Sequence, residues 1–209
     1  MKKIGILSVL IFALMCFAGG TQVGAASITF TDYVKFAGGA ASPSLSATIE
    51  DIAPDTVKIT MKDLVGTDAE KVMSWWFNVD PFPAAGLSAT YVSGQSANTV
   101  KLGLDVDQAD GDGKYDVVFV YPKSGDTFNP GETSIYTLSG TGLDATDFIA
   151  LSAPGGGKGP YYSAVEQSSW WGQGTKPDLP PPPVPEPATM LVVGLGLVGL
   201  AGVRRKLQN

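Results

Sequence analysis

The sequence predicts an all-β protein, an antiparallel β-sandwich or jelly-roll-like single domain with targeting sequence at both ends. Three observations predict it. From about residue 27 to residue 162 apolar side chains alternate with polar ones in short runs, as a half-buried strand requires. Gly, Pro, Asn and Asp punctuate those runs at intervals of roughly 8 to 20 residues. No stretch between them repeats with a convincing helical period.

The chain begins Met1, Lys2, Lys3, followed by an uncharged apolar run from Ile4 to Phe17 and small or polar residues ending Val23, Gly24, Ala25, Ala26. A positive start, an apolar run of about 14 residues and a small-residue pair at Val23 and Ala25 describe a secretory signal peptide over residues 1–26, cut after Ala25 or Ala26. The run is short for a membrane span, and Gly19, Gly20, Thr21 and Gln22 end its apolar pattern. The single cysteine, Cys16, lies inside this leader, and the three residues before it, Ala13, Leu14 and Met15, do not form a lipoprotein box. After cleavage the domain has no thiol, and the chain has no His at all. Disulfides, His-bound zinc, a Ser-His triad and a Cys protease are therefore excluded.

The domain proper is expected over residues 27–171. Val57, Ile59 and Met61 alternate with Thr56, Lys58, Thr60 and Lys62, the clearest strand in the chain. Similar segments are Ile28 to Phe36, Leu45 to Ile52, Val72 to Val79, Leu87 to Val92, Thr99 to Val106, Tyr115 to Tyr121, Ser134 to Leu138 and Phe148 to Leu151. Gly38-Gly39, Ala53-Pro54-Asp55, Pro81-Phe82-Pro83, Ser93-Gly94, Asp110-Gly111, Ser124-Gly125-Asp126 and Asn129-Pro130-Gly131 supply turns between them. About nine short strands suit two packed antiparallel sheets.

Composition shifts at Gly155-Gly156-Gly157, read as a flexible loop, and residues 172–184 read as a Gly-rich, then Pro-rich linker. Extended as polyproline II at about 3.1 Å per residue, Pro177 to Pro187 would span on the order of 30 Å, a stalk long enough to hold the domain clear of a membrane.

Residues 185–209 open with Pro185, Glu186 and Pro187, continue through an apolar, Leu- and Gly-rich stretch to Val203, and close with Arg204, Arg205 and Lys206. Sixteen residues from Ala188 to Val203 make about 24 Å of helix, short of a hydrocarbon core of about 30 Å. Gly194, Gly196, Gly199 and Gly202 weaken it further, as suits a transient anchor, and the basic cluster keeps its far end in the cytosol. A Pro-Glu-Pro motif, a hydrophobic helix and a basic end in this order resemble the PEP-CTERM sorting signal. The resemblance implies that Pro185, Glu186, Pro187, Arg204, Arg205 and Lys206 serve sorting and processing by an exosortase. It implies an exported bacterial protein with an inner-membrane intermediate, destined for the cell envelope, outer surface or extracellular matrix. The other reading is a plain tail anchor behind an unrelated stalk. More loosely, Ala109 to Asp116, Pro130-Gly131-Glu132-Thr133 with Tyr136, and Gly159 to Tyr162 resemble domains that precede this tag, which implies no established activity.

Charge narrows the partners. Loss of Lys2, Lys3, Arg204, Arg205 and Lys206 from the 14 cations leaves nine, all Lys, against 20 Asp and Glu, a net charge of −11. Such a surface repels phosphate backbones, so no nucleic-acid partner is expected. Cations, neutral glycans such as an exopolysaccharide, and other proteins remain.

Two clusters carry candidate chemistry. Asp105, Asp107, Asp110, Asp112 and Asp116 place five carboxylates in twelve residues with Gly111 and Gly113 between them, a composition that suits calcium, although the loop departs from the EF-hand register. The same Asp-Gly-Asp-Gly sequence is ordinary hairpin-turn chemistry. All four Trp fall in the pairs Trp75-Trp76 and Trp170-Trp171. Trp170, Trp171 and Tyr161 are candidates for stacking on sugar rings, whereas a strand must turn one ring of each pair inward and core packing competes for all of them. No P-loop is present, because Gly157-Lys158 is followed by Gly159, and nothing selects a catalytic carboxylate pair. The functions left open are a structural or adhesive, non-enzymatic surface module and a carbohydrate-binding module, with or without calcium.

Overall fold

The computed structural model describes residues 26–31, 33–35, 41–42, 45–64, 70–157 and 159–177. The leader up to Ala25, the linker from residue 178 and the whole segment 185–209, with Pro185, Glu186, Pro187, Arg204, Arg205 and Lys206, lie outside the described residues.

The fold is all-β. The strands are β1 (Ser27–Phe30), β2 (Tyr33–Lys35), β3 (Ala41–Ser42), β4 (Leu45–Ala53), β5 (Thr56–Asp63), β6 (Val72–Phe77), β7 (Ser88–Gly94), β8 (Thr99–Ala109), β9 (Asp112–Val120), β10 (Thr133–Ser139), β11 (Ser163–Gln167) and β12 (Trp171–Gly174), with one 3-10 turn at Ala145–Phe148. They form two antiparallel sheets, one of five strands in the order β1-β4-β5-β10-β7 and one of seven in the order β3-β2-β12-β11-β6-β9-β8.

Alternation sets the registers. In the β4–β5 hairpin Ile49 faces Ile59 and Ala47 faces Met61, and these four side chains are fully buried. A one-residue slip would turn all of them to solvent. Together with Ile28, Phe30, Tyr136 and Leu138 they meet Trp75, Phe77, Val117, Phe119 and Val165 of the larger sheet in one core, which makes the fold sandwich-like. At its centre Trp75 stacks on Phe77 with ring centroids 6.3 Å apart and donates its indole N–H to the Tyr33 hydroxyl at 2.7 Å. That hydroxyl also accepts from the Ser163 hydroxyl at 3.1 Å, so the buried polar atoms of β2, β6 and β11 satisfy one another.

The structure corrects several expectations. The single strand expected over Ile28 to Phe36 divides into β1 and β2, which lie in different sheets. Phe148 to Leu151 is not a strand: Asp144 caps the 3-10 turn by accepting from the Thr146 N–H at 2.6 Å, and Asp147 reciprocates by accepting from the Asp144 N–H at 2.9 Å. The two aspartates thus form a capping box around Ala145 and Thr146. Strands β11 and β12 were not expected. Gly172, Gln173 and Gly174, assigned to the linker, belong to β12, paired with β11 on one side and β2 on the other. Their glycines answer a packing need, since a Cβ on Gly172 would run into the Trp170 ring and one on Gly174 into the Ser163 hydroxyl.

Candidate functional site

The five aspartates sit on the β8–β9 hairpin at one edge of the larger sheet. Asp110 and Gly111 form its two-residue turn, both left-handed at φ 50° and 74°, the geometry that a twisted two-residue hairpin needs. Asp110 points into solvent. Asp107 accepts from the Lys101 ammonium at 2.6 Å and from the Gln108 N–H at 3.0 Å. Asp112 is buried and accepts from the Gly157 N–H at 3.0 Å. Asp116, also buried, accepts from the Val79 N–H at 2.9 Å with one oxygen and from the Asp105 N–H at 2.7 Å with the other. Burial pushes the Asp116 carboxyl above the usual range, and the two N–H groups pull against that. Asp105 itself adopts φ 55° where β8 breaks register between Leu102 and Asp107.

The five carboxylates are thus not gathered into one shell. Among the described residues no group of three or more His, Cys, Asp or Glu is placed to hold a metal ion. The arrangement does the work of a turn and its supports. Asp116 fastens the bulge of β8 to the loop after β6, and Asp112 fastens the glycine loop over the hairpin. That loop is laid down further by the Gly113 N–H donating to the Gly155 carbonyl at 2.8 Å and by Lys114 and Ala153 exchanging backbone bonds at 3.0 and 3.2 Å. A Cβ on Gly156 would run into the Gly111 carbonyl and one on Gly155 into the Gln108 amide, so two of the three glycines read as flexible from composition serve close approach.

The aromatic candidates separate. Trp170 is buried in the core between the sheets rather than offered to a ligand. Trp171 follows it on the opposite face, half-buried, with its ring centroid 5.1 Å from that of Trp76. Trp76, Ala109, Tyr115, Val118 and Ala164 make a second, smaller apolar cluster on the outer face of the larger sheet, with Val120 and Trp171 at its margin. The Trp76 indole N–H is buried with no partner among the described residues. Tyr161 is half-buried, its backbone N–H donating to the Ser152 hydroxyl at 3.1 Å.

Three polar residues that sequence reasoning passed over matter here. Asn78 is buried and its amide nitrogen donates to the Tyr161 and Tyr162 carbonyls at 3.1 Å each, tying the segment before β11 to the end of β6. Asp51 accepts from the Ala26 N–H at 3.0 Å and the Ala145 N–H at 2.7 Å. Asp63 is buried without a hydrogen bond to either oxygen among the described residues, and burial, with Glu132 nearby, pushes its carboxyl up to about 7. A lone Asn or Asp in a strand pattern carries no signal that distinguishes these roles from a solvated side chain.

Among the described residues no helix is long and apolar enough to cross a membrane. Comparison with curated proteins and with solved structures returns no match. A family model described as the PEP-CTERM protein-sorting motif matches residues 183–206.

Proposed function

From a chain that carries the PEP-CTERM sorting motif, we infer an exported bacterial surface or matrix protein whose β domain is a structural or adhesive module without enzymatic activity. The motif implies passage through the membrane and processing by exosortase, a membrane-associated enzyme. It is the observation that carries the reading, because it stands at the far end of a Pro-rich segment that follows β12. The domain adds support of a weaker kind. Its candidate reactive groups are engaged internally: Asp112 and Asp116 on backbone N–H groups, Asp107 on Lys101, and Trp170 in the core.

Intact mass of the protein recovered from its bacterial host tests this. Chains from the envelope or medium should have lost the basic end, and replacement of Pro185, Glu186 and Pro187 by Ala should leave full-length chain in the inner membrane. A wild-type chain still ending at Asn209 and stably membrane-embedded would refute sorting.

A glycan-binding module is the second reading, and one observation favours it: Trp171 is only half-buried at the margin of the outer-face cluster around Trp76. Retention of the exported protein on an exopolysaccharide column, lost on Trp171→Ala, would replace the structural reading with this one.

A further inference from the structure

We propose that the mature chain begins at Ala26 and that its newly formed α-ammonium is held by Asp51 in an acidic seat built by folding. The cut itself rests on the export reading above; the seat rests on geometry.

Ala26 is pinned at three points. Its nitrogen lies 3.0 Å from Asp51 Oδ2, its carbonyl accepts from the Asp51 N–H at 2.9 Å, and its side chain packs on the main core. The second Asp51 oxygen accepts from the Ala145 N–H at 2.7 Å, so the 3-10 turn aims the carboxylate at the Ala26 nitrogen. The surroundings are acidic. Asp147 is shifted upward by its burial and further by Asp144, Asp51 and Asp80, so four carboxylates share this corner. The ion pairs of the described residues, Lys58 with Glu50 and Lys101 with Asp107, include none of the four. One carboxylate of this acidic corner, Asp51, therefore faces the Ala26 nitrogen with its orientation fixed.

Signal-peptide cleavage supplies the missing cation at that nitrogen. Water adds to the Ala25 carbonyl carbon and the Ala25–Ala26 bond breaks. The carboxylate departs with the leader, and the Ala26 nitrogen leaves as an amine that takes up a proton. A neutral N–H donor becomes a charged one in place, and charge-assisted bonds are roughly twice as strong as neutral ones. The sequence left cleavage after Ala25 or Ala26 open. A cut after Ala26 would discard the nitrogen that Asp51 holds, so the seat is filled only when the cut falls after Ala25.

The test uses full-length chain exported with its own leader and recovered from the envelope. The protein should begin at Ala26 by N-terminal sequencing. Under limiting acylating reagent at neutral pH, its α-amine should react about tenfold more slowly in the folded protein than in urea, the protection expected of about one charge-assisted hydrogen bond. Asp51→Asn should abolish that protection and lower the melting temperature by about 5 °C. The loss should shrink as pH rises above about 8, where the unfolded chain's amine gives up its proton, and disappear once the seated amine has lost its own. A retained leader would overturn the export reading and the proposal together. A start at Ser27, or a start at Ala26 with an amine equally reactive folded and unfolded, would overturn the seat while leaving export intact. Should Asp51→Asn fail to fold, the wild-type labelling ratio alone decides.

Discussion

Asp116 accepts the backbone N–H of Asp105 at 2.7 Å, so one acid of the cluster holds the main chain of another. The same carboxylate takes the Val79 N–H. Each oxygen thus accepts one main-chain N–H, and the hairpin has a built-in support that needs no bound ion.

Melting of the exported protein in EDTA, calcium or magnesium at fixed ionic strength should therefore give the same midpoint within about 1 °C. A site filled at tenfold its Kd would add about 1.4 kcal/mol and shift the midpoint by several degrees, which is readily measured. Asp116→Ala, which orphans two N–H groups, should cost about 2–4 kcal/mol in a denaturant titration, whatever the metal present. A calcium-specific shift abolished by Asp107→Ala with Asp112→Ala would restore the cation reading.

The two adjacent tryptophans of β12 and the turn before it should differ in what their loss does. Trp170→Ala opens a cavity between the sheets beside Gly172 and should cost about 3–5 kcal/mol. Trp171→Ala removes a half-buried ring from the margin of the outer cluster and should cost no more than about 2 kcal/mol. Equal losses in chemical denaturation would mean that the two faces of β12 are not distinguished as described.

Asp63 predicts a pH dependence with an unusual sign. Its carboxyl is raised to about 7 in the folded protein by burial and then by Glu132. Below the unfolded value near 4 it is protonated in both states and costs nothing. Between about pH 4 and pH 7 the folded state holds a proton that the unfolded state has released, so this group erodes stability as pH rises, and the erosion is complete above about 7. Asp63→Asn should therefore stabilise the protein by about 1–3 kcal/mol at pH 7.5 and change little at pH 4.5, the upper limit being reduced for residual solvent screening. A stability difference that does not vary between those pH values would show that the carboxylate has a partner.

Alternation makes most of the strands readable from the sequence, because an inward residue such as Ile49 or Ile59 must recur at every second position to face the other sheet. The same rule failed where a different constraint governed. β12 carries Gly172 and Gly174 where Trp170 and Ser163 leave no room for a Cβ, and composition alone assigns such glycines to a linker. The 3-10 turn hid its capping box in front of an apolar run. The candidate sites were less legible still. Spacing shows that Asp105 and Asp116 are near each other in the chain but not whether their oxygens converge, and the hydrogen bonds of Asp116 are to main-chain atoms that any sequence would provide. In Trp170-Trp171 the rule that adjacent strand residues face opposite ways was sound, and the structure adds which ring went inside.

The position of β12 also has a mechanical meaning. The chain leaves the sandwich from a strand flanked on both sides, by β11 and by β2, rather than from an edge of the sheet. Tension entering from the residues beyond Gly174 must break two hydrogen-bonded ladders to draw that strand out, whereas an edge strand would yield after one. A load on the C-terminal side is thereby passed into the interior of the larger sheet and shared by its neighbours, so the domain resists being peeled open from that side.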